Sequence, residues 1–151
     1  MVEQRLLTFT GYADIIKEIE NLKKKGYRKG GSWTLGQVCR HMSYYYRGSL
    51  DGFARMLPWI LRATVGKMML KKYISGERRK PGGATAPDSV YPPDADDTEG
   101  IREALELLKR LEANRGPLHP SALFGEMTED QWLKMHCSHS AHHLGFLIPN
   151  E

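Results

Sequence analysis

The sequence predicts an all-α fold: one domain over residues 1–151, built from four main helices with an extra short one as a candidate. Three observations carry that expectation. Apolar residues recur at helical spacing in four separate stretches, and no stretch alternates convincingly as a strand would. A capping box precedes one of those stretches and a partial match precedes another. One long excursion, rich in proline and glycine, interrupts the chain near its middle.

The first predicted helix runs from Tyr12 to Lys25, with Ile15, Ile16, Ile19 and Leu22 at helical spacing and Gly26 as its stop. After the loop Gly30-Gly31-Ser32, Thr34 is the N-cap candidate of a second helix, and Gln37 makes a partial capping-box match. Leu35, Val38, His41, Met42, Tyr45 and Ser49 share one broad face of it, and it fades near Gly52 or somewhat after, before Pro58. Pro58 to Ile74 is the candidate extra helix, with the proline in its first turn, where a missing amide proton costs nothing. Gly76 to Asp97, holding Pro81, Gly82, Gly83, Pro87, Pro92 and Pro93, is predicted to lack regular structure. Helical spacing resumes with Ile101, Leu105, Leu108 and Leu111 and stops before Gly116-Pro117. The last helix opens on Thr128-Glu129-Asp130-Gln131, a capping box, and carries Trp132, Met135, His136, His139, His143, Phe146 and Leu147 as one stripe.

Composition narrows the function classes. At 151 residues, 40% hydrophobic and 26% charged, the chain can bury a core without disulfides or a structural metal. A metal in it would therefore serve function ahead of folding. The net charge of +4 sits in short clusters, Lys23–Lys25, Lys71–Lys72 and Arg78–Lys80, which are expected to form a solvated surface. Nucleic-acid binding is disfavoured, because no recognition-helix motif occurs and no aromatics interleave with the charges. Two distant cysteines, no apolar leader at MVEQRLLTF and no uninterrupted apolar span point to a cytoplasmic protein that does not insert in a membrane.

The chemistry-bearing residues are histidines: six in all, four of them in the last 16 residues. At about 100° per residue, His139 and His143 stack on one helix face, His136 lies near it, and His142 turns toward the flank. Burying two imidazoles a turn apart costs about 1–3 kcal/mol for each one left unpaired. A metal removes that penalty, since neutral imidazole is a preferred ligand for zinc, nickel, iron and copper. The competing expectation is that such histidines are hydrogen-bonded core residues. A third ligand must come from elsewhere, and His41 is the candidate inside another amphipathic helix.

The stretch Trp33-Thr34-Leu35-Gly36-Gln37-Val38-Cys39-Arg40-His41 resembles the start of the second helix in the DinB-like superfamily, most closely in a branch known only as a domain of unknown function. His119-Pro120, Phe124-Gly125, Met127-Thr128, Trp132 and the ending His139-Ser140-Ala141-His142-His143 are similar to that branch's C-terminal motif. The resemblance spans nearly the whole chain, weakly at Gly76–Asp97. It implies a DinB-like four-helix bundle with a long crossover connection, frequent homodimers, and one divalent transition metal held by His41, His139 and His143. Zinc or nickel would come first, then iron or manganese. His142 falls at a position that is generally not a ligand. Relatives with an established activity are often metal-dependent transferases of low-molecular-weight thiols, and others are regarded as hydrolases. Family members often carry Gln or Arg after the paired histidines, whereas Leu144-Gly145-Phe146 stands here, which removes a polar role at that place.

Three histidines leave a coordination position open, the pattern of a catalytic site. Water could be activated there for hydrolysis, or a small thiol for transfer; thiol transfer is preferred by analogy. Tyr44, Tyr45, Tyr46, Ser49 and His136 are candidates for lining the pocket or moving protons, with plain packing as the competing reading for the tyrosines. Trp132 is expected in the core. Cys39 and Cys137 fall off the core faces of their helices and are assigned no role. The alternative function is a non-catalytic dimeric bundle with a vestigial metal site, because no Asp or Glu lies between Gln131 and Pro149.

Overall fold

The computed structural model of the protein describes residues 1–77, 79–82 and 85–151. Arg78 of the third basic cluster and Gly83 of the central excursion lie outside the described residues.

Helix α1 spans Tyr12–Lys25 and buries Ile15, Ile19 and Leu22. Gly26 ends it with φ at 73°, a left-handed conformation that glycine adopts at little cost. Helix α2 (Leu35–Asp51) begins at Thr34, whose hydroxyl accepts from the Gln37 amide while the Gln37 side chain accepts from the Thr34 amide. The partial match in the sequence is thus a complete capping box. Helix α6 (Glu129–Leu144) starts on the same device, built from Thr128 and Gln131. Both helices that carry the clustered histidines therefore have fixed origins, about two turns before His41 and three before His139.

The stretch after Pro58 divides into a short turn α3 (Trp59–Leu61), a π-helical turn over Arg62–Gly66 and helix α4 (Lys67–Ile74). Pro58 stands at the N-cap, one place earlier than predicted. Helix α5 (Thr98–Ala113) buries Ile101, Ala104, Leu107, Leu108 and Leu111. It crosses α2 at a close approach: a Cβ added at Gly100 would lie 2.6 Å from the Gly36 carbonyl oxygen. Only a residue without a side chain fits there.

Helices α1, α2, α5 and α6 share one core, in which Leu22, Leu35, Met42, Tyr46, Leu108 and Leu144 are fully buried. A second cluster of Leu70, Phe124, Met127, Trp132 and Met135 sits where α4 meets α6. No helix of the described residues is long and apolar enough to cross a membrane.

Three expectations need correction. Strands do occur: β1 (Tyr27–Lys29) pairs antiparallel with β2 (Leu147–Pro149), in the register Tyr27↔Pro149. Each is only three residues long, too short for a periodicity to show, and their partners are at opposite ends of the chain. Consequently α6 ends at Leu144, and Leu147 reaches the core from a strand. Cys39 and Cys137 are buried, not turned away from the core, because α2 and α6 each pack against more than one neighbour and bury a wider arc than one stripe. Burial pushes the Cys137 thiol up to about 12 and the Cys39 thiol upward as well, so neither offers a thiolate near neutral pH.

Candidate metal centre

Helices α2 and α6 bring His41, His139 and His143 together, with one ring nitrogen from each lying within 4.8 Å of the others. His41 and His139 are buried and His143 is partly so. The Nε2 atoms of His41 and His139 face each other at 3.0 Å. His143 closes the group, its ring centroid 4.3 Å from that of His41 and 4.7 Å from that of His139.

The tautomer of His41 follows from its other neighbour. Its Nδ1 lies 2.9 Å from the Ser89 carbonyl oxygen, which can only accept. Nδ1 therefore carries the proton, and Nε2 presents a bare lone pair towards His139. This is the usual second contact of a metal-binding histidine, in which the far nitrogen is fixed by a carbonyl. The central connection supplies that carbonyl from a 3₁₀ turn over Pro87–Ser89. The Gln37 side chain holds the segment to α2 by donating to the Tyr91 carbonyl at 2.9 Å, and Arg40 pairs with Asp94 at 2.6 Å. Asp97 adds a further tie, accepting from the Gly36 amide and the Tyr27 hydroxyl.

All three imidazoles are held below the ordinary histidine range. Burial is the first cause in each case. The neighbouring imidazoles add to it at His139 and His143, and the positive charge of Arg79 adds to it at all three. They are consequently neutral, and each keeps one ring nitrogen with a lone pair to offer. The Nδ1 of His139 is buried without a hydrogen-bond partner in the described structure. The donor set fits a transition metal: three neutral nitrogens suit zinc, nickel or iron, whereas calcium or magnesium would require oxygens. The 4.8 Å spread exceeds the roughly 3.3 Å between nitrogens around a tetrahedral zinc, so small side-chain rotations would bring the three into ligating distance.

Two aromatic rings wall the cluster. Trp33 stacks on His143, with centroids 5.6 Å apart and 11° between planes, and it also leans on His41. Tyr45 packs edge-on against both His41 and His139. Of the residues predicted to line a pocket, Tyr45 is thus beside the cluster, with its hydroxyl 3.5 Å from the Ser89 hydroxyl. Tyr44 packs on Tyr45 and Phe53. Tyr46 is fully buried and hydrogen-bonded to Ser140, a core role.

His136 and Ser49 also turn inward to each other. The Ser49 hydroxyl donates to the Tyr46 carbonyl, leaving its oxygen to accept from His136 Nε2 at 3.0 Å. His136 stacks on Trp132, and burial pushes its pKa down to about 3. It is a neutral core histidine outside the cluster. His142 stands at the flank, where Gln4 meets its Nδ1 and its carbonyl.

Sequence reasoning missed Ser89, Arg79 and the wall formed by Trp33. Trp33 had a signal, since it heads the second-helix motif. Ser89 and Arg79 had none, because the excursion carries no periodicity to place them.

Residues 1–150 match the family described as a protein of unknown function, DUF1569, and the chain belongs to that family. Comparisons with curated proteins and with solved structures yield no match.

Proposed function

We propose that this member of an uncharacterised family is a DinB-like metal-dependent enzyme. It binds one divalent transition metal through His41, His139 and His143, zinc or nickel ahead of iron or manganese, and acts on a small molecule. The observation that carries this reading is the pair of Nε2 atoms 3.0 Å apart, one of them a bare lone pair, with a third imidazole beside them. Without a metal, a proton on His139 Nε2 would link this pair as a hydrogen bond; a metal would take that proton's place and draw in the His143 nitrogen as well. The packing of α1, α2, α5 and α6 around one core, with the long connection between α4 and α5, supports the DinB-like bundle.

A metal held by three imidazoles has an open position, where it would lower the pKa of water or of a low-molecular-weight thiol and so supply a nucleophile near neutral pH. The chain's own residues prepare that chemistry. Ser89 orients His41 through the Nδ1 proton, and Trp33 and Tyr45 keep water from the imidazole faces. The Tyr45 phenol, whose ring packs on His41 and His139, is a proton-carrying side chain beside the cluster. Thiol transfer is the preferred reaction and hydrolysis the other. The reading includes a homodimer, supported by the exposed apolar side chains Trp59, Ile60 and Met68, which would be covered by association.

A second reading, a non-catalytic dimeric bundle with a vestigial site, is favoured by one feature: α6 holds no carboxylate after Asp130, so none from that helix stands by the histidines as a base. Elemental analysis of tag-free protein tests the metal directly. Near one equivalent of zinc, nickel, iron or manganese is expected in wild type and none in His143→Ala. Wild type free of metal even after reconstitution would overturn the metal-dependent reading. Metal without turnover in thiol-transfer and hydrolysis screens would favour the second reading.

A further inference from the structure

Arg79 belongs to a basic cluster expected to be a solvated surface, and the structure places it otherwise. Its guanidinium lies over the Tyr73 ring, 3.9 Å from the centroid, and is largely withdrawn from water. Nε and Nη2 are buried with no hydrogen-bond partner in the described structure. Arg5, Arg28, Arg40, Arg47, Arg102 and Arg110 each face a carboxylate, whereas no ion pair to Arg79 occurs among the described residues. Burial lowers its pKa to about 10, which still leaves it charged near neutral pH.

A buried cation without a counter-ion is costly, and one whose adjacent N–H groups both lack acceptors has a defined complement. Nε and Nη2 form the side-on fork of the guanidinium, which matches the two oxygens of a carboxylate or phosphate. Arg79 lines a cleft of about 390 Å³ together with Gln4, Arg5, Tyr73, Glu77, Lys134 and His142, so three cations face one carboxylate there. That volume suits a small molecule. The cleft borders the histidine cluster: His142 packs on His143 with centroids 4.9 Å apart, and the charge of Arg79 reaches all three clustered imidazoles.

We infer that this cleft binds a small anionic molecule, whose carboxylate or phosphate is held by Nε and Nη2 of Arg79 after that edge of the guanidinium, closed to solvent in the unliganded chain, turns to face the cleft. The Tyr73 ring fixes the guanidinium plane, and the remainder of the ligand extends toward His142 and His143. That the ligand is the substrate of the histidine cluster rests on the function proposed above; the anion site itself stands on Arg79.

Nuclear magnetic resonance of the Arg79 Nε–Hε group in metal-free protein tests the site without any metal. Titrations with sodium acetate and with inorganic phosphate, against chloride at matched ionic strength, separate a carboxylate from a phosphate source. At least one of the two anions should shift the signal saturably, and chloride should not. Arg79→Gln should abolish saturable binding, read from neighbouring amide signals. Arg79→Lys, which keeps the charge and loses the fork, should weaken binding at least tenfold. Far-ultraviolet circular dichroism and metal content of both variants, expected to match wild type, keep failure of this site separate from failure of the metal site. An unmoved Nε–Hε signal with both anions, or equal affinity in a folded Arg79→Gln protein, overturns the inference. So does an Arg79→Gln protein that turns from dimer to monomer while the wild-type signal ignores both anions, since a partner chain's carboxylate would then occupy the fork.

Discussion

The Nε2 atoms of His41 and His139 face each other at 3.0 Å across the α2–α6 interface, although 98 residues separate them in the chain. A proton or a metal must stand between two such nitrogens. If a metal does, it binds the folded state alone and stabilises it by mass action, by about 2.7 kcal/mol at a free concentration one hundred times the dissociation constant. Thermal unfolding of metal-stripped protein should shift upward on titration with zinc or nickel. The same titration should leave His41→Ala unmoved, and an equal shift in that variant would place the metal elsewhere.

Trp33 stacks on His143 and therefore reports on whatever binds there. A paramagnetic ion such as copper(II) or cobalt(II) at the cluster should quench Trp33 fluorescence, whereas the exposed Trp59 should respond far less. Trp33→Phe is expected to remove most of the quenching while one equivalent of metal still binds. Quenching of equal depth in that variant would count against the cluster as the binding place.

Gly100 meets the Gly36 backbone at the α2–α5 crossing, and a Cβ there would lie 2.6 Å from a carbonyl oxygen that cannot swing aside. Gly100→Ala should force the helices apart and cost about 1–3 kcal/mol, as overpacking does elsewhere. The helix propensity gained, about 1 kcal/mol, recovers part of that loss. Denaturant unfolding measures the difference, and an unchanged or raised midpoint would show that the crossing yields easily.

His136 couples stability to pH. Its pKa is about 3 in the folded protein, against about 6.5 for an ordinary histidine in an unfolded chain. Between those values the unfolded chain takes up a proton that the folded state refuses, so stability falls as pH drops through the window. Above about pH 6.5 this contribution is complete and flat. The slope from one such group reaches about 1.4 kcal/mol per pH unit. In metal-free protein, His136→Phe should lower the slope between pH 6 and 4 by one group's share, with the remaining slope due to His41, His139 and His143 and, toward pH 4, to carboxylates held low by their partners, such as Asp51 and Glu99. An unaltered slope would mean that His136 is charged in the fold or is reached by water.

Local chemistry made much of this legible beforehand. Helices α1 and α2 end at the glycines the sequence marks, Gly26 and Gly52, because a helix stop is written in the residue that must adopt the final conformation. Thr34 and Thr128 open their helices for the same local reason. The HxxxH spacing put His139 and His143 on one face, and the amphipathic pattern put His41 on the inner face of its helix. What spacing cannot state is which faces meet. The pairing of β1 with β2 depends on contacts between opposite chain ends, and the burial of Cys39 and Cys137 depends on how many neighbours each helix acquires.

By itself, then, the sequence determined where the four main helices begin and run, the caps at Gly26, Thr34 and Thr128 and the candidate ligands, since these follow from propensities and periodicities within a few turns. The tertiary structure alone decided that the Ser89 carbonyl accepts from His41 Nδ1, that Trp33 covers His143, and that Arg79 is drawn from a charged cluster into a cleft. Arg79 and Ser89 lie in a segment without repeat or pattern, and all three relationships join residues far apart in sequence. Such contacts are set by the packing of the whole chain, and no local preference encodes them.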